Sequence, residues 1–252
     1  MIDDLDLSKF ISLAGRFGGD RFAYVVTPNA DHMLRYRDDA AFRELYRSAA
    51  YVLMDSRFVA YLLLILKRMR LPVCTGADVT ATLLQEVIRP TDPIVLVGGT
   101  AEQAERIAAR YGLLNLKHYD PPMGFIRDPR AVERCLQFVE QQSPFRFCFL
   151  AVGSPQQEVI AQMLHSRGIA RGLALCVGAS LNFLTGVERR APSWMQRLAL
   201  EWLYRLLRNP RRLAHRYLVR GPRIFGHLLR AQVVLRPSVS QANLELSPAE
   251  PV

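Results

Sequence analysis

Asp55 directly follows the apolar run at residues 51–54 (Tyr-Val-Leu-Met) and precedes Ser56, Arg57 and a long apolar stretch. An aspartate at the end of a buried strand is held at the carboxyl edge of a sheet, where α/β folds bind their ligands. There it can take a proton from an attacking hydroxyl as a general base. The plainer alternative is that Asp55 caps the helix after it. A second chemical stretch is RFCFLAVGSPQQEV, residues 146–159, which changes from a run that must be buried to one built to hold a ligand. Its apolar run at 147–152 reads as a strand covered on both faces. Gly153 makes the turn, Ser154 is a cap-type residue, Pro155 suits the first helical position, and Gln156, Gln157 and Glu158 fill the first turn. The free N–H groups and positive dipole end of such a helix suit an anion, for instance a nucleotide-sugar diphosphate. An ordinary βα turn carrying surface glutamines is the plainer alternative. A third group, Thr27-Pro28-Asn29, closes the apolar run at 22–26, with Asn29 placed to cap a helix.

Positioning these residues requires strands alternating with helices. Apolar runs at 22–26, 51–54, 94–97, 147–152 and 173–177, with a weaker one at 116–119, are separated by helical patterns at regular spacing. The expected fold is therefore α/β, a Rossmann-like, mostly parallel sheet with flanking helices. Gly98-Gly99-Thr100 opens a helix but lacks GxGxxG spacing, so it reads as plain βα packing. Residues 71–78 read as a connection rich in turn signals before a helix at 79–88. Beyond Pro192 the pattern predicts helices only, at 194–207, 211–219 and 223–235, punctuated by Pro210 and Pro222. In the first of these Leu198, Trp202, Arg205 and Leu206 recur at helical spacing. The expected organisation is a catalytic domain at 1–190, a basic amphipathic helical C-terminal appendage at 191–236 and a disordered tail at 237–252.

Half of the chain is hydrophobic, which bounds it to one sizeable core, alone or with an appendage. The net charge of +10 is local: residues 189–236 hold 12 arginines and one acid, Glu201, and the remainder is close to neutral. Such helices suit an anionic membrane surface. Cys74, Cys135, Cys148 and Cys176 lack CxxC spacing; three of them lie in apolar or helical patterns where a small buried thiol is expected, and together they suggest a reducing compartment with no metal site. The acidic N-terminus is unlike a signal peptide, and the apolar run at 58–66 is about half of a membrane span.

Several motifs fall in a known order: Thr27-Pro28-Asn29, Asp55, Thr75-Gly76-Ala77-Asp78, Pro121-Pro122-Met123-Gly124-Phe125, Gly153-Ser154-Pro155-Gln156-Gln157-Glu158, Val177-Gly178-Ala179, and Gly186 with Arg190-Ala191-Pro192 leading into Glu201-Trp202. On these the chain resembles the WecG/TagA/CpsF family of bacterial glycosyltransferases over residues 25–217. The resemblance implies an enzyme at the cytoplasmic face of the membrane that moves a sugar from a UDP-sugar to a polyprenyl-diphosphate-linked acceptor, with inversion and without a tightly bound metal or other cofactor. It implies a place in cell-surface polysaccharide assembly, of exopolysaccharide, teichoic-acid-linkage or common-antigen type. It gives the base role to Asp55, ligand contacts to Thr27, Asn29 and Gln157 beside the Gly153 turn, and diphosphate contacts to appendage arginines, for which Arg211, Arg212 and Arg216 are the candidates. In two places the sequence departs from the family pattern. Ser56-Arg57 stands where the family aspartate is usually followed by Gly, and Val73 stands where an arginine is expected, so Arg57 is the candidate replacement for that charge. The implied partners are the donor, the lipid-linked acceptor and anionic inner-leaflet lipids, with no nucleic acid; a homo-oligomer is left open. A nucleic-acid-binding module would explain the arginines but leave the polar residues at the strand ends without a purpose. A nicotinamide-dependent oxidoreductase would use the same sheet, yet no GxGxxG follows any strand.

Overall fold

The structure is a computed structural model that describes residues 2–215, 218, 221–230 and 232–237. After a short strand β1 (Ile2–Asp3) come α1 (Leu7–Arg16), β2 (Phe22–Val26), α2 (Ala30–Asp38), α3 (Ala40–Arg47), β3 (Tyr51–Val52) and α4 (Arg57–Lys67). The middle of the chain supplies α5 (Gly76–Thr82), continued by a π-helical turn at Leu83–Val87, then β4 (Ile94–Val97), α6 (Ala101–Tyr111), β5 (Leu116–Tyr119) and α7 (Pro129–Gln141). It continues with β6 (Phe147–Leu150), α8 (Gln156–Arg167), β7 (Gly172–Cys176) and α9 (Ser180–Leu184). The last elements are α10 (Ser193–Arg197), α11 (Glu201–Arg208), α12 (Pro210–Ala214), α13 (Arg223–Arg230) and β8 (Leu235–Arg236).

Six strands form a fully parallel sheet in the order β3-β2-β7-β6-β4-β5, the expected α/β Rossmann-like arrangement. Alternate side chains of each strand enter opposite cores. Tyr24, Val26, Cys148, Leu150, Ala174 and Cys176 pack with Phe42, Leu136 and Ile160 from α3, α7 and α8. Val25, Phe147, Phe149, Leu173 and Leu175 pack with Phe10, Val79, Ile107 and Leu181 from α1, α5, α6 and α9. Burial on both faces is why these strands read as continuous apolar runs. All four cysteines are buried and unpaired.

The helices start where their caps dictate. Asn29 Oδ1 accepts from Asp31 N at 3.0 Å, and Thr100 with Gln103 forms a reciprocal capping box. Gly153 has φ +79°, a left-handed turn that a residue with a Cβ adopts only under strain.

Several expected boundaries are corrected. The β3 ladder ends at Val52, although Leu53 N to Val26 O (2.9 Å) and Asp55 N to Pro28 O (2.9 Å) carry the hydrogen bonding on to Asp55. The helix expected at 79–88 begins at Gly76, because Thr75 caps it through Asp78 N. Ser154 does not cap α8: Pro155 occupies the capping position, and Gly153 O closes the first turn by accepting from Gln157 N at 3.0 Å. The helix expected at 194–207 is broken between α10 and α11, where Ala199 takes φ +58°. The helix expected at 223–235 stops at Arg230, and Leu235–Arg236 instead pairs in parallel with Ile2–Asp3.

That last pairing ties the C-terminal segment to the body. Arg236 Nε lies 2.8 Å from Asp3 Oδ1, and Asp3 Oδ2 accepts from Val52 N at 2.6 Å. Ile224 and Leu228 of α13 are buried in a third core cluster with Met54, Val59, Leu62 and Leu63. Residues 238–252, most of the expected disordered tail, lie outside the described residues. Among the described residues no helix is long and apolar enough to cross a membrane.

Candidate active site

The carboxyl ends of β2, β3, β6 and β7 converge on one cavity of about 670 Å³, within the range of small-molecule sites. Thr27, Asn29, Asp55, Arg57, Gly153 and Gln157 all line it, so the structure brings together sequence-predicted residues from three separate strand-to-helix connections. The C-terminal segment covers it with Ala199, Glu201, Trp202 and Arg205 from the α10–α11 region and with Leu218, Pro222, Ile224 and Phe225.

Asp55 does not cap α4. Ser56 performs that task, its hydroxyl accepting from Val59 N at 3.2 Å, which leaves the Asp55 carboxylate free to accept from Gly76 N at 3.1 Å. Burial raises its pKa to about 7, against the lowering effects of Arg205 and the Gly76 N–H; Glu201 and Asp78 push it further up. A carboxylate poised there can both accept and hold a proton near neutral pH.

Beside it runs a chain of alternating charges. Asp78 Oδ1 receives Arg190 Nη1 at 2.6 Å, and Asp78 Oδ2 receives Arg57 Nη2 at 3.1 Å and the Thr75 hydroxyl at 2.8 Å. Burial alone would raise the Asp78 carboxyl, but the Arg190 and Thr75 hydrogen bonds and the Arg57 charge hold it below its ordinary value. Glu201 continues the chain, 3.2 Å from Arg205 Nη2 and 4.0 Å from Arg57 Nη1. The Arg205 guanidinium also stacks 5.0 Å from the Phe183 ring centroid. Despite these pairings Arg57 Nη1, Arg190 Nε and Arg205 Nε are buried without a hydrogen-bond partner among the described residues. Buried donors of that kind cost free energy unless something accepts from them. An anionic ligand in the cavity would.

Thr27 and Gln157 are more tightly committed than the sequence implied. The Thr27 hydroxyl donates to Cys176 O at 3.0 Å, joining β2 to β7. Gln157 Oε1 accepts from Gly178 N at 2.8 Å, and its Nε2 donates to Glu158 Oε1 at 2.9 Å. Gln157 is 2% exposed, so it braces the β6 and β7 loops against each other at the cavity wall. Burial raises the Glu158 carboxyl, opposed by that Gln157 bond.

The arginines are where sequence and structure part. Arg211 is exposed and does not line the cavity, the Arg212 side chain and all of Arg216 lie outside the described residues, and among the described residues the arginines at the wall are Arg35, Arg57, Arg190 and Arg205. The signal for Arg205 was present, a charge on the apolar stripe that carries Trp202, and Arg190 sits in a quoted motif. Among the described residues no group of three His, Cys, Asp or Glu side chains is placed to hold a metal ion.

A parallel α/β sheet whose carboxyl end carries a carboxylate raised toward neutrality beside buried guanidinium groups has the makings of an enzyme site. The description that fits this chain is the glycosyl transferase WecG/TagA/CpsF family, whose family model matches residues 1–238. The chain belongs to that family and is a glycosyltransferase of cell-surface polysaccharide synthesis.

Proposed function

We propose that the protein moves a sugar from a UDP-sugar to a polyprenyl-diphosphate-linked acceptor, with inversion at the anomeric carbon, while held at the inner face of the cell membrane. The acceptor hydroxyl attacks the anomeric carbon as Asp55 takes its proton, and the bond from that carbon to the UDP oxygen breaks in the same displacement. The leaving diphosphate gains negative charge, which Arg190 and Arg205 neutralise from the wall. Arg57 reaches Asp78 in the first turn of α5, a few residues beyond Val73 in the chain, and supplies the charge missing at Val73. Thr27, Asn29, Gly153 and Gln157 shape the donor and acceptor positions. Residues 191–236 act as a cover that completes the site and shuts out water, with residues 1–190 as the catalytic body.

The observation that carries this reading is the coincidence, in one cavity, of a carboxylate at about 7 with buried guanidinium nitrogens that lack partners. Asp55→Asn keeps shape and removes basicity. Turnover is expected to fall about a hundredfold or more while UDP-sugar affinity stays within a few fold. Near wild-type turnover of the folded variant would remove Asp55 from the base role.

A further inference from the structure

Helix α4 is apolar on both its faces. Val59, Leu62 and Leu63 are buried, but Tyr61, Leu64 and Ile65 are 56%, 39% and 58% exposed, at helical spacing on the opposite side. A helix apolar all round needs a non-aqueous neighbour on each face. The far end of α4 is also basic: Arg57, at its start, faces the cavity, but Lys67, Arg68 and Arg70 follow one another at its end and residues 56–77 hold no acid. Arg68 and Arg70 are exposed just past the end of the helix, and neither pairs with a carboxylate among the described residues.

Helix α13 extends the same surface. It packs on α4 through Leu228, and the Phe58 and Phe225 rings meet edge to face at 6.2 Å. Its outer side shows Phe225 and Leu229, 43% and 59% exposed, with Arg223 and Arg230 exposed at its ends and no acid along it. Phe58 and Phe225 line the cavity. Phe58, Tyr61 and Ile65 form one i, i+3, i+7 stripe, so an apolar ridge of about 10 Å runs from the cavity rim to the basic end of the helix.

We propose that the outer faces of α4 and α13 dock on an anionic lipid bilayer, with Tyr61, Leu64 and Ile65 entering the headgroup boundary and Arg68 and Arg70 meeting lipid phosphates. Apolar side chains flanked by Arg68 and Arg70 fit an interfacial helix. Two copies of this chain pressed together on this face would instead oppose Arg68, Arg70, Arg223 and Arg230, while Asp38 of α2, the acid beside His227, is already held by Arg37 at 3.0 Å. The membrane footprint thus includes the body of the enzyme and opens the cavity rim at the lipid surface. This deepens the lipid-linked acceptor reading and rests on it.

All four native cysteines are buried, so Ile65→Cys, Leu207→Cys and Glu105→Cys each offer one accessible thiol for an environment-sensitive fluorophore. Vesicles of phosphatidylcholine with phosphatidylglycerol are expected to shift the emission at position 65 to the blue. Pure phosphatidylcholine is expected to shift it far less, and a label at 105, on α6, not at all. Arg68→Gly with Arg70→Ala, which spares the left-handed backbone at Arg68 (φ +52°), is expected to lower vesicle partition about thirtyfold, at about 1 kcal/mol per cation. Tyr61→Ser with Leu64→Ser and Ile65→Ser is expected to lower it at least as much, with turnover on a water-soluble acceptor analogue unchanged. A shift at 207 without one at 65 would overturn the proposal while leaving a lipid-linked acceptor intact. A lipid-independent dimer dissolved by the triple serine variant in sedimentation velocity would overturn it in favour of an interface between copies.

Discussion

Asp55 sits where its charge is costly to the fold. Unfolded aspartate titrates near pH 4, whereas burial raises the folded carboxyl to about 7. The folded protein therefore keeps a proton that the unfolded chain gives up, and the stability this group contributes falls as pH rises from about 4 to about 7. Above that window the ionised carboxylate opposes folding in full. Asp55→Asn is accordingly expected to stabilise the protein by about 1–3 kcal/mol at pH 8 and to change little at pH 4, read by urea denaturation at the two values. A loss of stability at pH 8 would make Asp55 a structural residue. Such a group was legible from sequence by its place at a strand end, but the choice between base and cap was not. That choice depends on whether Ser56 takes the cap, and both side chains are competent to do so. Gln157 was legible as a cavity residue, but its bond to Gly178 was not, since Gly178 lies in the turn after a different strand.

At the scale of elements, the strands were legible because a strand buried on both faces has no polar positions to blur its ends. The C-terminal helices were less so. Their apolar spacing runs through Ala199 without interruption, yet the chain turns there because Ala199, Glu201, Trp202 and Arg205 must reach the cavity mouth. The surplus of arginines hid which ones would face inward; nothing local distinguishes Arg211 from Arg205 except the stripe on which Arg205 lies. The pairing of β8 with β1 was also invisible, being a contact between two-residue strands at opposite ends of the sequence. Because Leu228 is fully buried between α13 and α4, Leu228→Ala is expected to cost about 2–4 kcal/mol. Thermal or chemical denaturation checks it. A variant that unfolds like wild type would mean that α13 contributes little to the fold.

For the whole molecule, the charge asymmetry and the topology point the same way. A neutral α/β body carries its ligand groups at the carboxyl end of the sheet, and the basic C-terminal segment folds back to cover that end rather than trailing from it. Cover and body share one core cluster, in which α13 packs on α4. On the proposed docking, the rim of the active site and the lipid-facing surface are continuous. The central claim is the transfer itself, and the most direct measurement incubates the purified full-length protein with a panel of UDP-sugars and lipid-linked acceptors and reads the product lipid by mass spectrometry. The expected result is one product heavier by a single sugar residue, formed from one donor with release of UDP. No product with any UDP-sugar, together with tight binding of RNA, would contradict it.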